Sequence, residues 1–128
     1  MTFRTMEVYS LIATEDTPTI TLDPSQGKFE VAKRSLPEDA ASFYAPVLDW
    51  LVNYSKAPLE ITTFVFNLEY FNTSSAKQLF KMLNVLEQIS RTKKVLVQWC
   101  YDKGDEDMLA SGDRFARLTK LTFEMKEN

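Results

Sequence analysis

The sequence predicts an α/β fold: one small domain, residues 1–128, with a mixed β-sheet whose helices pack mainly on one face. Three observations carry this expectation. Strand-like and helix-like segments alternate after residue 40, the pattern of a sheet built with crossover helices. The best strand, "EITTFVFNLEY", has one strongly apolar face and one mixed face, so only one side demands a helical cover. No internal repeat divides the 128 residues, a length that suits a single core.

The elements follow in order. "MEVYSLIA" (6–13) is apolar and β-branched and reads as a strand. "TITLD" and "KFEVAK" flank the turn residues of "PSQG", predicting a hairpin of Thr19–Asp23 with Lys28–Lys33. "RSLPEDA" supplies a helix start: the proline biases Leu36 towards an extended conformation, and Glu38 and Asp39 suit the positive end of a helix. From Ala40 to Lys56, Tyr44, Val47, Leu48, Leu51 and Val52 recur at spacings of three and four, one apolar stripe, and Pro58 ends the pattern. In the central strand, Phe64, Phe66, Leu68 and Tyr70 fall on the apolar face. A second helix is expected from about Ser75 to Arg91, with Leu79, Met82, Leu83, Leu86 and Ile89 inward. "KVLVQWCY" (94–101) is a further strand, "DKGDEDMLASGDRFARL" a polar connection with a short helix, and "TKLTFEM" a closing edge strand.

Composition narrows the function. Apolar residues make up 45% of the chain and charged residues 26%, an ordinary globular balance. The net charge of -3, with basic residues scattered, argues against nucleic acid, whose binders gather Lys and Arg on one face. No apolar run spans a bilayer, so no membrane partner is expected, and "MTFRTMEVYS" lacks the parts of a signal peptide. The lone Cys100 forms no internal disulfide, which makes a cytoplasmic setting the expectation, and its place between Trp99 and Tyr101 reads as a buried structural thiol.

Catalysis finds little support. There is no histidine, which removes the commonest general base and metal ligand, and three glycines do not build a phosphate-cradling loop. The run Asp102, Asp105, Glu106, Asp107 does not match calcium-loop spacing and reads as a solvated loop entering a helix. No enzyme activity, cofactor or metal is expected.

One cluster remains. In "EYFNTSSAKQLF", Asn72, Thr73, Ser74 and Ser75 follow the central strand directly and precede a helix. Any of the four can cap that helix, and Ser75 with Gln78 has capping-box spacing. One cap suffices where four short polar residues stand. They lie where a strand's C-terminal end meets a helix, the usual place of function in α/β sheets, with Lys77 one turn in. A phosphorylated hydroxyl is well accommodated there.

These blocks resemble the SiaC-type regulatory phosphoproteins of bacteria over nearly the whole chain. "EDTPTITLD" is similar to the family's TP-containing first strand, and "AKRSLPEDAASFYAPVLDWL" to its G-R-S-x-P-E-N-A segment and the aromatic block after it. "LEYFNTSSAKQL" is similar to the L-x-Y-x-N-T-S-S-x-K signature, and "VQWCYDKGDEDMLASGDRFARL" to the C-terminal region of aromatic and acidic residues. Ala32-Lys33 stands where the family often has glycine, and Asp39 where asparagine is frequent. The resemblance implies a STAS-like domain similar to anti-sigma-factor antagonists, with Thr73 as phosphoacceptor and Asn72, Ser74 and Ser75 shaping its loop. It implies three protein partners: a histidine-kinase-like serine/threonine kinase, a metal-dependent serine/threonine phosphatase, and a GGDEF-type diguanylate cyclase or similar target in c-di-GMP signalling. An anti-sigma-factor antagonist that binds an anti-sigma serine/threonine kinase is the alternative. Tyr70 and Lys77 flank the cluster, and Arg34, Ser35, Leu36, Pro37 and Glu38 are expected to line the same face as partner-binding residues, whereas Phe71 belongs to the core.

Overall fold

A central sheet carries all three helices on one of its faces. The computed structural model describes residues 6–128, so the first five residues of the expected 1–128 unit lie outside it. The elements are β1 (Tyr9–Leu11), β2 (Thr19–Asp23), β3 (Lys28–Ser35), α1 (Ala40–Tyr54), β4 (Ile61–Phe71), α2 (Thr73–Ile89), β5 (Lys94–Tyr101), α3 (Glu106–Leu118) and β6 (Thr122–Glu127). The strands lie in chain order, β1-β2-β3-β4-β5-β6. The first three pair antiparallel and β3 to β6 pair in parallel, which makes the sheet mixed as expected.

Register shows how one face becomes the core. Phe29, Phe64, Val97 and Phe123 form one row across the parallel strands, and Val31, Phe66, Trp99 and Met125 the next. Phe29 meets Trp50 and Tyr54 of α1, with ring centroids 6.2 and 5.1 Å away. Trp99 meets Phe115 of α3 at 5.4 Å, so both helices cover the same face. α2 packs against α1 and β5. Full burial of each such side chain contributes about 1.5–3 kcal/mol, which gives this face the weight in holding the fold. The close approach of α3 requires Gly112, where a Cβ would collide with the Trp99 ring. The other face, with Thr63, Val65, Asn67, Leu96 and Gln98, is half-buried.

The β2–β3 turn and the starts of α1 and α3 form where the sequence places them. Gly27, at φ 64°, closes the β2–β3 turn by donating its N–H to the Pro24 carbonyl at 3.1 Å. Asp39 caps α1, accepting from Ser42 N at 3.1 Å and Ser42 Oγ at 2.8 Å. Those bonds hold its carboxyl below the usual carboxylate range. Asp105 caps α3 through Met108 N at 3.0 Å, with Glu106 and Asp107 in the first turn, so the acidic run serves a helix start. Cys100 is buried, and burial raises its thiol pKa. No helix among the described residues is long and apolar enough to cross a membrane.

Several expectations are corrected. β3 runs two residues further than Lys33, to Ser35. α1 ends at Tyr54, and Val52 is exposed at 47%. The stripe is instead Tyr44, Val47, Leu51 and Tyr54 with Trp50, because Val52 lies about 100° round the helix from Leu51. Tyr70 is 50% exposed and off the core face. The β3–β4 register explains this: Lys33 faces Leu68 and Arg34 faces Tyr70, so Glu69 is an inserted residue. The bulge breaks the alternation, and Phe71 turns towards Trp99 and Phe115 where Tyr70 would have pointed. Lys33 sits at φ 81°, a left-handed conformation that favours glycine. β6 is an edge strand, as expected, but begins at Thr122 rather than Thr119.

Candidate functional site

The strand β4 ends at Phe71 and α2 begins at Thr73, leaving only Asn72 between them. The helix therefore starts two residues before the expected Ser75, and the cluster is a first turn rather than a loop. Asn72 is the cap: its backbone is extended (φ -87°, ψ 176°) and its Oδ1 accepts from Ser75 N at 2.9 Å. Its carbonyl accepts the first helical bond, from Ala76 N at 2.9 Å. The capping-box reading of Ser75 with Gln78 is thereby overturned, since Ser75 is the third helical residue and Gln78 is buried.

The three hydroxyls after the cap have different fates. Thr73 and Ser74 are exposed, and their hydroxyls make no hydrogen bond to any described residue. Ser75 is fully buried. Its Oγ donates to the Ser35 carbonyl at 3.0 Å and lies 2.8 Å from Ser35 Oγ, which lies 2.6 Å from the Tyr44 hydroxyl. The Ser35 carbonyl also accepts Asn72 N at 3.3 Å. The end of β3, the first turn of α2 and the front of α1 are thus joined through buried hydroxyls. Burial pushes the Tyr44 phenol pKa up to about 12, with the Ser35 bond pulling the other way, so it keeps its proton at neutral pH.

Electrostatics leave this helix start open to an anion. The first turn of α2 holds no acidic residue, so its positive end is not neutralised locally. Lys77 is exposed one turn in. Arg34 and Tyr70 are neighbours in the β3–β4 pairing and both are exposed at the same sheet end. A shallow groove of about 160 Å³ adjoins them, lined by Glu69, Tyr70, Phe71, Asp105, Asp107, Met108 and Ser111. Among the described residues no three His, Cys, Asp or Glu side chains converge as metal ligands do.

The expected site residues divide accordingly. Asn72, Thr73, Ser74, Tyr70 and Arg34 lie at the C-terminal end of the parallel strands, with Lys77 one turn into α2. Glu38 is exposed beside the α1 cap and Leu36 is half-buried. Ser35 and Pro37 are buried, which corrects the expectation that their side chains line a partner face. Ser35 instead serves from beneath, because the strand reaches past Lys33 and turns its side chain inward. Tyr44 was legible only as a core residue; its hydroxyl lies nine positions from Ser35, and a helix period carries no sign of that bond.

Comparison with known proteins then places the chain. A model of the family described as SiaC family regulatory phosphoprotein matches residues 11–128. The chain belongs to that family. An uncharacterised protein of Pseudomonas aeruginosa (strain UCBPP-PA14) is 29% identical over 117 residues, covering 88% of this chain and 90% of the relative. Apo-SiaC from Pseudomonas aeruginosa has the same fold: TM-score 0.86 at 24% identity, over 94% of this chain and 99% of that one. So does SiaC in the crystal structure of the diguanylate cyclase SiaD in complex with its activator SiaC, from the same organism, with the same TM-score, identity and coverage. The SiaC fold, six strands with three helices, is the fold described above.

Proposed function

We propose that this chain is a non-enzymatic signalling switch, reversibly phosphorylated on Thr73, whose phosphorylation state controls binding to a diguanylate cyclase of the GGDEF type in the cytoplasm. One observation carries the reading: the Thr73 hydroxyl is exposed on the first residue of a helix that Asn72 already caps. It is free for modification and not needed for the fold. Membership of the SiaC family supports the regulatory role, and the SiaD–SiaC complex supports a cyclase as the partner class. A histidine-kinase-like serine/threonine kinase and a metal-dependent phosphatase complete the cycle.

Magnitudes favour a switch of surface rather than of fold. A phosphate adds about -1.5 to -2 charges at neutral pH. At a helix N-terminus an anion is stabilised by about 0.3–1 kcal/mol, so the domain stays folded. A partner that covers the bare hydroxyl must instead bury a dianion, at a cost of several kcal/mol unless it supplies cations. About 5.5 kcal/mol reverses a 99:1 preference, so such a penalty suffices.

The test is binding of the cyclase to four forms: unmodified, kinase-treated, Thr73→Ala and Thr73→Asp. The unmodified and alanine forms bind alike, and the phosphorylated and aspartate forms bind weakly while staying folded. Equal cyclase binding by the phosphorylated and unmodified forms would remove the switch. Binding only to an anti-sigma kinase would move the protein to the antagonist class.

A further inference from the structure

We propose that Ser35 and Tyr44 are positioning residues that withhold Ser75 from phosphorylation and leave only Thr73 and Ser74 of the run presented. The proposal rests on the reading of Thr73 as phosphoacceptor and names the residues that impose the choice.

Each hydroxyl has one proton to give. Ser75 Oγ gives its proton to the Ser35 carbonyl, which only accepts. The 2.8 Å contact must then run from Ser35 O–H to Ser75 Oγ, and the 2.6 Å contact from Tyr44 O–H to Ser35 Oγ. The bonds form a one-way chain, Tyr44 to Ser35 to Ser75 to the Ser35 carbonyl, with every buried proton used. No buried side-chain polar atom among the described residues lacks a partner. The Ser35 carbonyl also holds Asn72 N. Residue 35 therefore grips positions 72 and 75, and the dipeptide between them, Thr73–Ser74, projects into solvent.

The consequence is chemical. In phosphoryl transfer from a nucleoside triphosphate, the acceptor oxygen forms the new O–P bond in line with the departing diphosphate, and its proton passes to a base of the kinase. Ser75 Oγ has its proton committed, accepts a second bond and is fully buried, so it offers no in-line approach. Thr73 and Ser74 meet none of these obstacles. Helix α1, which carries Tyr44, supplies a control at its other end: the Tyr54 hydroxyl contacts Thr62 Oγ1 at 2.7 Å and accepts Leu59 N at 3.1 Å, equally buried but remote from Thr73.

The experiment treats the full chain and the variants Ser35→Ala, Tyr44→Phe and Tyr54→Phe with the kinase, maps phosphate by mass spectrometry, and follows amide exchange at Ser75 and Ala76. In Ser35→Ala, which removes the donor to Ser75 Oγ, phosphate appears on Ser75 and the Thr73 share falls; Tyr44→Phe, which keeps both Ser75 bonds and only frees Ser35 Oγ, shifts usage the same way by less. Exchange at Ser75 and Ala76 quickens by about fivefold, the change that loss of one buried hydrogen bond produces. Tyr54→Phe matches the wild type in both readouts. Wild-type site usage in folded Ser35→Ala and Tyr44→Phe overturns the proposal, as does the same spread in Tyr54→Phe, which marks general loosening. Should Ser35→Ala not fold, Tyr44→Phe, which keeps the ring, decides alone. Absence of phosphate on wild-type Thr73 refutes the phosphoacceptor reading itself; quickened exchange would then leave the hydroxyl chain a structural clamp and overturn its role in selection.

Discussion

Helix α1 carries a buried tyrosine hydroxyl near each end, and the two are used differently. Tyr54 bonds to Thr62 and Leu59, eight and five residues away, and so ties α1 to the start of the next strand. Tyr44 enters a chain that reaches from α1 through Ser35 to Ser75, which is forty residues from Ser35 in sequence. The Tyr54 end lies at the N-terminal side of β4, where the surface carries an ordinary ion pair, Lys93 to Glu60 at 2.6 Å. The Tyr44 end lies under the only turn where two free hydroxyls sit on an unneutralised helix start among the described residues. Similar chemistry thus serves a local tie at one end and a three-element junction at the other. The difference teaches where to look for function: at the hydroxyls the fold leaves unbonded, and at the buried ones that hold them out.

Stability measurements can break this comparison. Ser35→Ala has the largest expected effect, because it strands the Tyr44 hydroxyl and strips Ser75 of a donor: about 2–3 kcal/mol in denaturant unfolding. Tyr44→Phe and Tyr54→Phe each cost about 1–2 kcal/mol, being single buried hydroxyls with hydrogen-bond partners. Only the first pair should alter α2, and equal exchange of the α2 first turn in both tyrosine variants would erase the contrast. They also differ at high pH. The folded-state pKa of Tyr44 is raised to about 12, above the unfolded value of 10.0, so its contribution is fully present below pH 10 and is lost as pH rises through 12. Over that window the wild type loses about 1.4 kcal/mol per pH unit relative to Tyr44→Phe, so their denaturation midpoints converge and then cross. Asn72→Ala removes a cap and costs about 1 kcal/mol. Thr73→Ala is the smallest, within about 0.5 kcal/mol, because an exposed residue without side-chain bonds is replaced by a good helix former. A loss of about 2 kcal/mol in Thr73→Ala would mean that Thr73, not Asn72, holds the helix start.

Much of this was legible in sequence. Alternating Phe64, Phe66 and Leu68 marked the central strand and its inward face, and Leu79 through Ile89 marked α2, because both rest on local periods. The run Asn72–Ser75 announced a helix start, because capping residues are a local signal. What the sequence hid depends on contacts between distant residues. The bulge at Glu69 is set by pairing with β3, so strict alternation misplaced Tyr70 and left Phe71 without its inward direction. Asn72 could be chosen over its three neighbours only once the chain entering from β4 was fixed. Ser35 read as a surface residue in a polar helix-start segment, yet pairing opposite Phe71 carries it under the helix.

The most direct test of the central claim is phosphosite mapping of the intact chain after reaction with its kinase. One phosphate is expected, on Thr73, with Ser75 unmodified in the folded protein and Thr73→Ala taking none. Phosphate confined to Ser74 or Ser75, or equal uptake by Thr73→Ala, would contradict it.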